Sequence, residues 1–173
     1  MGTYTHKVIF VTGAGVGIGL ALCKAFALAG AAVVLNDLDT ALSANSAQAI
    51  NDAVGMQRVE PVAFDVADVV ARHGRVDVFV ANAGLTNYGS FMDYTPEAFD
   101  RLLAVNLRGS YFTAQAAAHA MIERNIAGRI LLMSSVTGTR AFLNLSAYGR
   151  ATPHSWEKSE ISDGHLPRRC NYG

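Results

Sequence analysis

The sequence predicts one α/β domain built on a parallel, doubly wound sheet of about five strands. Short apolar runs alternate with longer segments of helical pattern along residues 8–133, which is the rhythm of right-handed β–α–β crossovers. Of the 173 residues, 51% are hydrophobic, which is enough for a sizeable core. A glycine-rich turn directly follows the first apolar run, where doubly wound folds have their ligand-binding edge.

Five apolar runs are predicted to form the strands of this sheet. The first consists of apolar residues only, as expected of a strand that is covered on both faces. In a doubly wound sheet the strands take the order 3-2-1-4-5. The predicted strands are Val8–Val11, Ala31–Leu35, Val59–Phe64, Val76–Ala81 and Arg129–Met133.

Glycines and capping residues predict the helices that connect these strands. Gly30 and Gly55 end the first two helices, because a glycine commonly follows the last helical turn. Thr95 and Pro96 begin the third and longest helix, as N-cap and first helical residue. The predicted helices span residues 21–29, which continue from the glycine turn, 38–54 and 95–124.

Composition excludes several classes of function. The chain has 14 basic and 14 acidic residues, so charge gives no reason to expect binding to nucleic acid or to a membrane surface. No apolar run is long enough to span a bilayer, and the polar N-terminus does not fit a signal peptide. Two cysteines form no disulfide framework, and the histidines lack metal-ligand spacing. We therefore expect a cytoplasmic protein without a metal.

The turn after the first strand has the pattern T-G-x-x-x-G-x-G over residues 12–19. A strand that enters a helix through glycines directs backbone N–H groups and a helix N-terminus at one point, which suits a phosphate. An ordinary glycine-rich turn of an α/β protein is the alternative. The residues predicted to bind a cofactor here are Gly13, Gly15, Val16, Gly17, Ile18 and Gly19.

Polar residues follow the next three strands at their carboxyl ends, where ligands of doubly wound sheets bind. Asp37, after the second strand, is placed to accept hydrogen bonds from an adenosine ribose and to repel a 2′-phosphate, so NAD is favoured over NADP. A solvated loop acid is the alternative for Asp37. Asp65 and Val66 are predicted to border the adenine, and Asn82, Ala83 and Gly84 to lie beside the cofactor at the sheet centre.

Taken in order, these motifs resemble the short-chain dehydrogenase/reductase family over about residues 7–149. The glycine turn, Asp65 and the Asn-Ala-Gly sequence at 82–84 are followed by Asn-Leu-Arg-Gly at 106–109. Ser135 then precedes Tyr148 by 13 residues, which is the separation found in that family. The resemblance implies a Rossmann-type fold, a nicotinamide cofactor and a homo-oligomer formed through the long helix and the helix of Tyr148.

The same resemblance implies a reaction and the residues that perform it. Tyr148 would exchange a proton with the oxygen of a small alcohol or ketone substrate while a hydride moves to or from the nicotinamide. Ser135 would hydrogen-bond the same oxygen, and Asn106 would hold a water in a proton relay. Oxidation of a sugar or polyol and reduction of a 3-oxoacyl group are the two activities considered.

The chain departs from the family after Tyr148. The family motif is Y-x-x-x-K, but position 152 is Thr152. A free phenol has a pKa of about 10, and an ammonium group nearby lowers it toward the working range. Thr152 cannot do so, and the family's remaining C-terminal strands are not found after residue 149. We therefore expect a weakened oligomer and an inactive chain, with a non-catalytic dinucleotide-binding module or a non-functional gene fragment as alternatives.

Residues 1–149 are thus predicted to form the domain, and residues 150–173 an irregular or disordered tail. The tail holds the only Trp and has no apolar periodicity, so it cannot bury enough apolar surface to fold. The alternative to a disordered tail is sequence foreign to the preceding domain, as a frameshift or a mis-joined exon would produce.

Overall fold

The computed structural model describes residues 2–63 and 72–152. Five strands form one sheet in the order β3-β2-β1-β4-β5, and every neighbouring pair is parallel. The predicted fold class and strand order are confirmed. The strands are β1 (Val8–Val11), β2 (Ala32–Asn36), β3 (Val59–Val62), β4 (Val78–Ala81) and β5 (Arg129–Leu132).

Helices connect the strands, and capping residues fix several of their ends. Asp39 caps the second helix by accepting a hydrogen bond from the Leu42 N–H at 2.9 Å, and Gly55 ends it with a φ of +73°. The Thr95 hydroxyl caps the third by accepting from the Ala98 N–H. The helices are α1 (Gly17–Leu28), α2 (Thr40–Val54), α3 (Pro96–Leu103), α4 (Ser110–Glu123) and α5 (Ser146–Ala151).

Both faces of the central strands β1 and β4 are buried, which explains why β1 contains apolar residues only. Ile9 and Val11 belong to a core cluster that also contains residues of α1 and α2. Val8 and Phe10 point to the opposite face and share a second cluster with residues of α4. Phe10 packs edge-to-face on Phe79, with ring centroids 5.5 Å apart. The core therefore lies above and below the central strands.

The long predicted helix is a helical rod with a widened middle. Between α3 and α4, the segment Ala104–Gly109 forms π-helical turns, so the prediction of one regular helix over residues 95–124 is incomplete. The widened turns contain Asn106, whose side chain forms hydrogen bonds with the backbone of Leu85, in the loop after β4. π-Helical turns inside α-helices frequently occur at functional sites.

Several predicted boundaries also differ from the structure by one or two residues, including both ends of β2 and the start of β4. β4 begins at Val78 rather than Val76, because the Val8 N–H is bound by the Asp77 carboxylate instead of by a strand partner. Helix α5 extends to Ala151, two residues into the predicted tail. Phe64 and residues 153–173 lie outside the described residues.

An ion-pair cluster closes the amino edge of the sheet, opposite the glycine turn. The Asp77 carboxylate accepts hydrogen bonds from the Val8 N–H, from Lys7 Nζ at 3.0 Å and from two guanidinium nitrogens of Arg75 at 2.6 and 2.7 Å. Asp77 itself is only 4% exposed. The cluster joins the start of β1 to the start of β4.

Within the described ranges, no helix is both long and apolar enough to cross a bilayer.

Candidate functional site

Hydrogen bonds hold the glycine turn against the end of β4, in a close approach of the two segments that only small residues permit. The Asn82 side chain donates to the carbonyl oxygens of Thr12 and Gly13 at 3.0 and 2.9 Å. The Thr12 hydroxyl accepts from the N–H groups of Asn82 and Ala83, both at 3.0 Å. Gly13 has a φ of +59°, and a Cβ there would lie 2.6 Å from Ala83 Cα. Thr12 was not predicted as a site residue, although it opens the turn motif.

Asp37 holds the middle of the same turn from the end of β2. Its Oδ2 accepts the Gly15 N–H at 2.8 Å, and its Oδ1 accepts the Asp39 N–H at 3.2 Å. The Ser46 hydroxyl donates to the Gly15 carbonyl at 2.8 Å. The carboxylate predicted to meet a ribose therefore borders the turn, and it also has a structural role that the sequence did not indicate.

The N-terminus of α1 completes this part of the site. Val16 is the N-cap, and no side chain caps the helix there. Val16 and Ile18 are exposed, whereas Gly19 is buried and a Cβ on it would lie 2.6 Å from Asn82 Nδ2. At Gly17, with a φ of +61°, an added Cβ would meet no protein atom within 4 Å.

This geometry fits the phosphates of a dinucleotide. The turn is too tight for side chains at Gly13 and Gly19, and its outer surface at Gly17 is open. Backbone N–H groups at a helix N-terminus attract an anion through hydrogen bonding and the helix dipole. Asp65 and Val66, the predicted adenine contacts, lie outside the described residues.

Asn106 connects the π-helical turns to the loop after β4. Its Oδ1 accepts the Leu85 N–H at 2.7 Å and its Nδ2 donates to the Leu85 carbonyl at 2.9 Å. The Asn106 residue is 5% exposed. Its Oδ1 also lies 3.6 Å from where a Cβ on Gly84 would be. The predicted site residues Asn106 and Gly84 are therefore brought together.

A cavity of about 150 Å³ brings together six of the predicted site residues. Tyr148, on α5, shares it with Asn106 and with Ile18 from the first turn of α1. Several lining residues had no predicted role. The other described residues that line it are Asn82, Ala83, Gly84, Thr86, Ser110, Met133, Ser134 and Thr152.

Of the two serines after β5, Ser134 lines this cavity and Ser135 is not among its described lining residues. The Ser135 hydroxyl caps the short 3₁₀ turn Val136–Gly138, accepting hydrogen bonds from the Thr137 N–H at 3.3 Å and the Thr137 hydroxyl at 2.9 Å. The structure thus places the predicted Ser135 beside the site, with its hydroxyl engaged locally. The sequence separation from Tyr148 could not reveal this local bond.

Thr152 stands at the end of α5, directly after Ala151. Its hydroxyl donates to the backbone carbonyls of Tyr148 and Gly149, at 3.3 and 3.1 Å. The residue is 8% exposed. None of the described residues that line the cavity carries a formal charge, so this part of the chain supplies no cation beside the Tyr148 hydroxyl.

A larger groove, of about 550 Å³, lies along α5 and the start of α3. Phe91, Phe99 and Arg150 are among its lining residues. It contains none of the predicted catalytic or cofactor-binding residues. Across the described ranges, no three His, Cys, Asp or Glu side chains are grouped so as to hold a metal ion.

Comparison with known proteins supplies a family for this arrangement. The family model described as short chain dehydrogenase matches residues 7–152. Elsinochrome reductase 1 of Elsinoe fawcettii is 39% identical over 144 residues, which cover 76% of this chain and 52% of the reductase. The chain therefore spans about half the length of that relative.

Solved structures show the same likeness in three dimensions. NAD+-bound xylitol dehydrogenase superposes with a TM-score of 0.80 at 28% identity, covering 87% of this chain and 61% of that one. A metagenomic short-chain oxidoreductase in complex with NADP gives 0.77 at 33% identity, covering 86% and 71%. Solved structures similar to this chain thus include one with bound NAD+ and one with bound NADP.

Proposed function

This chain belongs to the short-chain dehydrogenase family, and from that premise we propose that it serves NAD-dependent hydride transfer between a secondary alcohol and a ketone. The observation that carries the proposal is the shared cavity. Tyr148 lines it together with Ile18, from the first turn of α1, and with residues 82–84, after β4, which supports a proton-transferring role for Tyr148 beside the proposed nucleotide site.

Each residue has a part in the proposed reaction. When bound, the dinucleotide supplies a nicotinamide that accepts or donates the hydride. Tyr148 takes the proton from the substrate hydroxyl, or returns it to the ketone oxygen. The Ser135 hydroxyl rotates away from Thr137 and donates a hydrogen bond to the same oxygen. Asn106 keeps one N–H and one oxygen lone pair free of Leu85, and these hold a water of a proton relay.

The proposed cofactor contacts follow from the glycine turn and its neighbours. The N–H groups of residues 16–19 bind the pyrophosphate, with Gly15 held beside them by Asp37, while Asn82, Ala83 and Gly84 border the nicotinamide half. Asp37 accepts the ribose hydroxyls at the end of β2. Asp65 and Val66 remain proposed adenine contacts.

We predict that NAD⁺ binds at least about tenfold more tightly than NADP⁺, because the Asp37 carboxylate repels a 2′-phosphate. Calorimetric titrations of both nucleotides at one salt concentration measure the ratio. Asp37→Asn keeps an oxygen for the Gly15 N–H and removes the charge, so the ratio should fall toward one. Asp52→Asn, on the exposed face of α2, is the matched control. Tighter binding of NADP⁺ by the unaltered chain would contradict the assignment.

A second candidate is a dinucleotide-binding module without turnover, and the lining of the cavity favours it. Thr152 stands where the resemblance calls for a lysine, and its hydroxyl is bonded to carbonyls of α5. We predict that NADH formation from a panel of secondary alcohols does not exceed that of Tyr148→Phe. Thr152→Lys alone should not restore full activity, because α5 ends at Ala151.

Robust NADH formation that Tyr148→Phe abolishes would reject the second candidate. Failure of both nucleotides to bind would reject both candidates and leave the gene-fragment alternative.

The proposed setting is the cytoplasm, with a small alcohol or ketone as the partner and weakened homo-oligomers. Cys23 is a free, buried thiol, which suits a reducing compartment. Burial raises the pKa of this thiol to about 12, so it stays protonated and behaves as a small apolar side chain. Fractionation of cells that express the chain tests the location.

A further inference from the structure

A further cavity, of about 390 Å³, lies at the amino edge of the sheet, at the opposite end of the strands from the glycine turn. A cavity of this size can hold a small molecule. Positively charged side chains dominate its lining, and Asp77 is the one carboxylate among the described lining residues. Those residues are Lys7, Gly74, Arg75, Asp77, Arg124, Asn125, Ile126 and Ala127. We call this space the amino-edge cavity.

Two of its three cations are held together by Asp77. Lys7 Nζ and Arg75 Nη2 both donate to Asp77 Oδ1, at 3.0 and 2.6 Å, so the two charged groups are neighbours. The side chains of Lys7 and Arg75 remain 44% and 40% exposed. Because an ammonium group has three N–H donors and a guanidinium has five, both side chains keep donors that no described residue accepts.

Arg124 brings a third positive charge, which has no counterion in the part of the chain that the structure describes. It directly follows the last residue of α4, and its Nη1 donates to the Gly74 carbonyl at 3.4 Å, next to Arg75. The single negative charge of Asp77 therefore faces three cations, and the lining of the cavity keeps an excess of two positive charges.

This excess favours a ligand with more than one negative charge. Arginine and lysine side chains bind phosphate groups through charged hydrogen bonds. The C-terminal carbonyl groups of α4 oppose an anion through the helix dipole, so the attraction must come from the side chains. We propose that the amino-edge cavity binds a small molecule that carries a phosphate or diphosphate group. This site goes beyond the proposed function, because it shares no residue with the proposed nucleotide and substrate sites.

The test is an NMR titration of the full chain with inorganic pyrophosphate at constant ionic strength, with acetate as the singly charged comparison. We expect pyrophosphate to shift the amide signals of Gly74 and residues 125–127 in a saturable way, and to bind there at least about tenfold more tightly than acetate. Signals of residues 16–19 are fitted separately, because pyrophosphate can also bind at the glycine turn. Binding at the glycine turn alone would overturn this proposal and leave the proposed function intact.

Arg124→Gln should weaken pyrophosphate binding at the amino-edge cavity about fivefold, the effect of one exposed charge pair. Arg124 is exposed and takes no part in the hydrogen bonds of Asp77, so the urea midpoint of this variant should match that of the unaltered chain. Arg101→Gln, at an exposed arginine in the last turn of α3, is the matched control and should leave the affinity unchanged.

Three results would overturn the proposal. They are unaltered pyrophosphate binding in Arg124→Gln, equal weakening by Arg124→Gln and Arg101→Gln, and equal affinities for pyrophosphate and acetate. The second of these would show a general attraction to positive charge in place of a site.

Discussion

At the scale of single residues, the buried carboxylate of Asp77 contributes most clearly to stability. Burial alone would raise its pKa, but hydrogen bonds from Arg75, the Val8 N–H and Lys7 outweigh burial and hold the pKa below its usual value. The same pairing raises the pKa of Arg75. A carboxyl group whose pKa is lower in the folded state stabilises the fold above its unfolded pKa, and this contribution is lost as the pH falls through the folded pKa.

We predict that Asp77→Asn lowers the free energy of unfolding by about 2 kcal/mol at pH 7, because it removes charged hydrogen bonds within a buried cluster. The difference from the unaltered chain should shrink as the pH falls below about 4, where the carboxylate becomes protonated in the unfolded chain. Urea unfolding at several pH values measures both effects.

The matched control for this prediction is Asp52→Asn, on an exposed turn of α2, where a change within about 0.5 kcal/mol is expected. A loss of stability in Asp77→Asn that is the same at pH 7 and pH 3 would show that packing, and not the charge, is responsible.

Among the elements, the contact between the π-helical turns and the loop after β4 sets the shape of the Tyr148 cavity. Asn106 uses both ends of its amide on the Leu85 backbone, and it lines the cavity together with Tyr148. Replacing this amide leaves the Leu85 N–H and carbonyl without their partner, which costs more than the bonds contribute when formed.

We predict that Asn106→Leu lowers the free energy of unfolding by about 2 kcal/mol and speeds amide hydrogen exchange at Leu85. Gln115→Ala removes an amide from an exposed position on α4 and should leave both measurements unchanged. Unaltered exchange at Leu85 in Asn106→Leu would show that the loop is held by other contacts.

The same elements show what the sequence could and could not predict. Apolar runs such as Val8–Val11, together with glycine stops such as Gly55, depend on local patterns, and these predicted the five strands and the end of α2, while the strand order followed from the fold class. The widened turns around Asn106 depend on a contact with Leu85, 21 residues away in the chain, which no local pattern encodes. Likewise, the hydrogen bonds that the Ser135 hydroxyl accepts from Thr137 depend on the turn after β5.

For the molecule as a whole, the residues that stabilise the sheet and the residues of the proposed reaction lie at opposite ends of its strands. The ion-pair cluster around Asp77 closes the amino edge, and the glycine turn, Asp37 and the Tyr148 cavity lie at the carboxyl edge. Because ligands of such sheets bind at the carboxyl edge, substitutions at Asp77 should alter folding without altering nucleotide contacts. Stabilisation by the Asp77 cluster and the proposed nucleotide binding thus use opposite ends of the same strands.

The last prediction concerns self-association of the whole chain. The rod formed by α3 and α4 exposes Leu107, Tyr111, Phe112 and Ile122, and the Arg108 guanidinium covers the Phe112 ring at 5.1 Å. In the arrangement implied by the family resemblance, this rod and the helix of Tyr148 both contact a second copy of the chain.

Helix α5, which carries Tyr148, ends after six residues, with Thr152 in an extended conformation. It therefore adds little buried area to the interface, and a stable interface needs more than about 1,000 Å². We therefore expect a monomer at low micromolar concentration and a dimer dissociation constant above about 10 µM, measured by light scattering across a concentration series. Tyr111→Ser should weaken this dimer further, while Met56→Ser, away from the rod, should not, and a stable tetramer at micromolar concentration would contradict the argument.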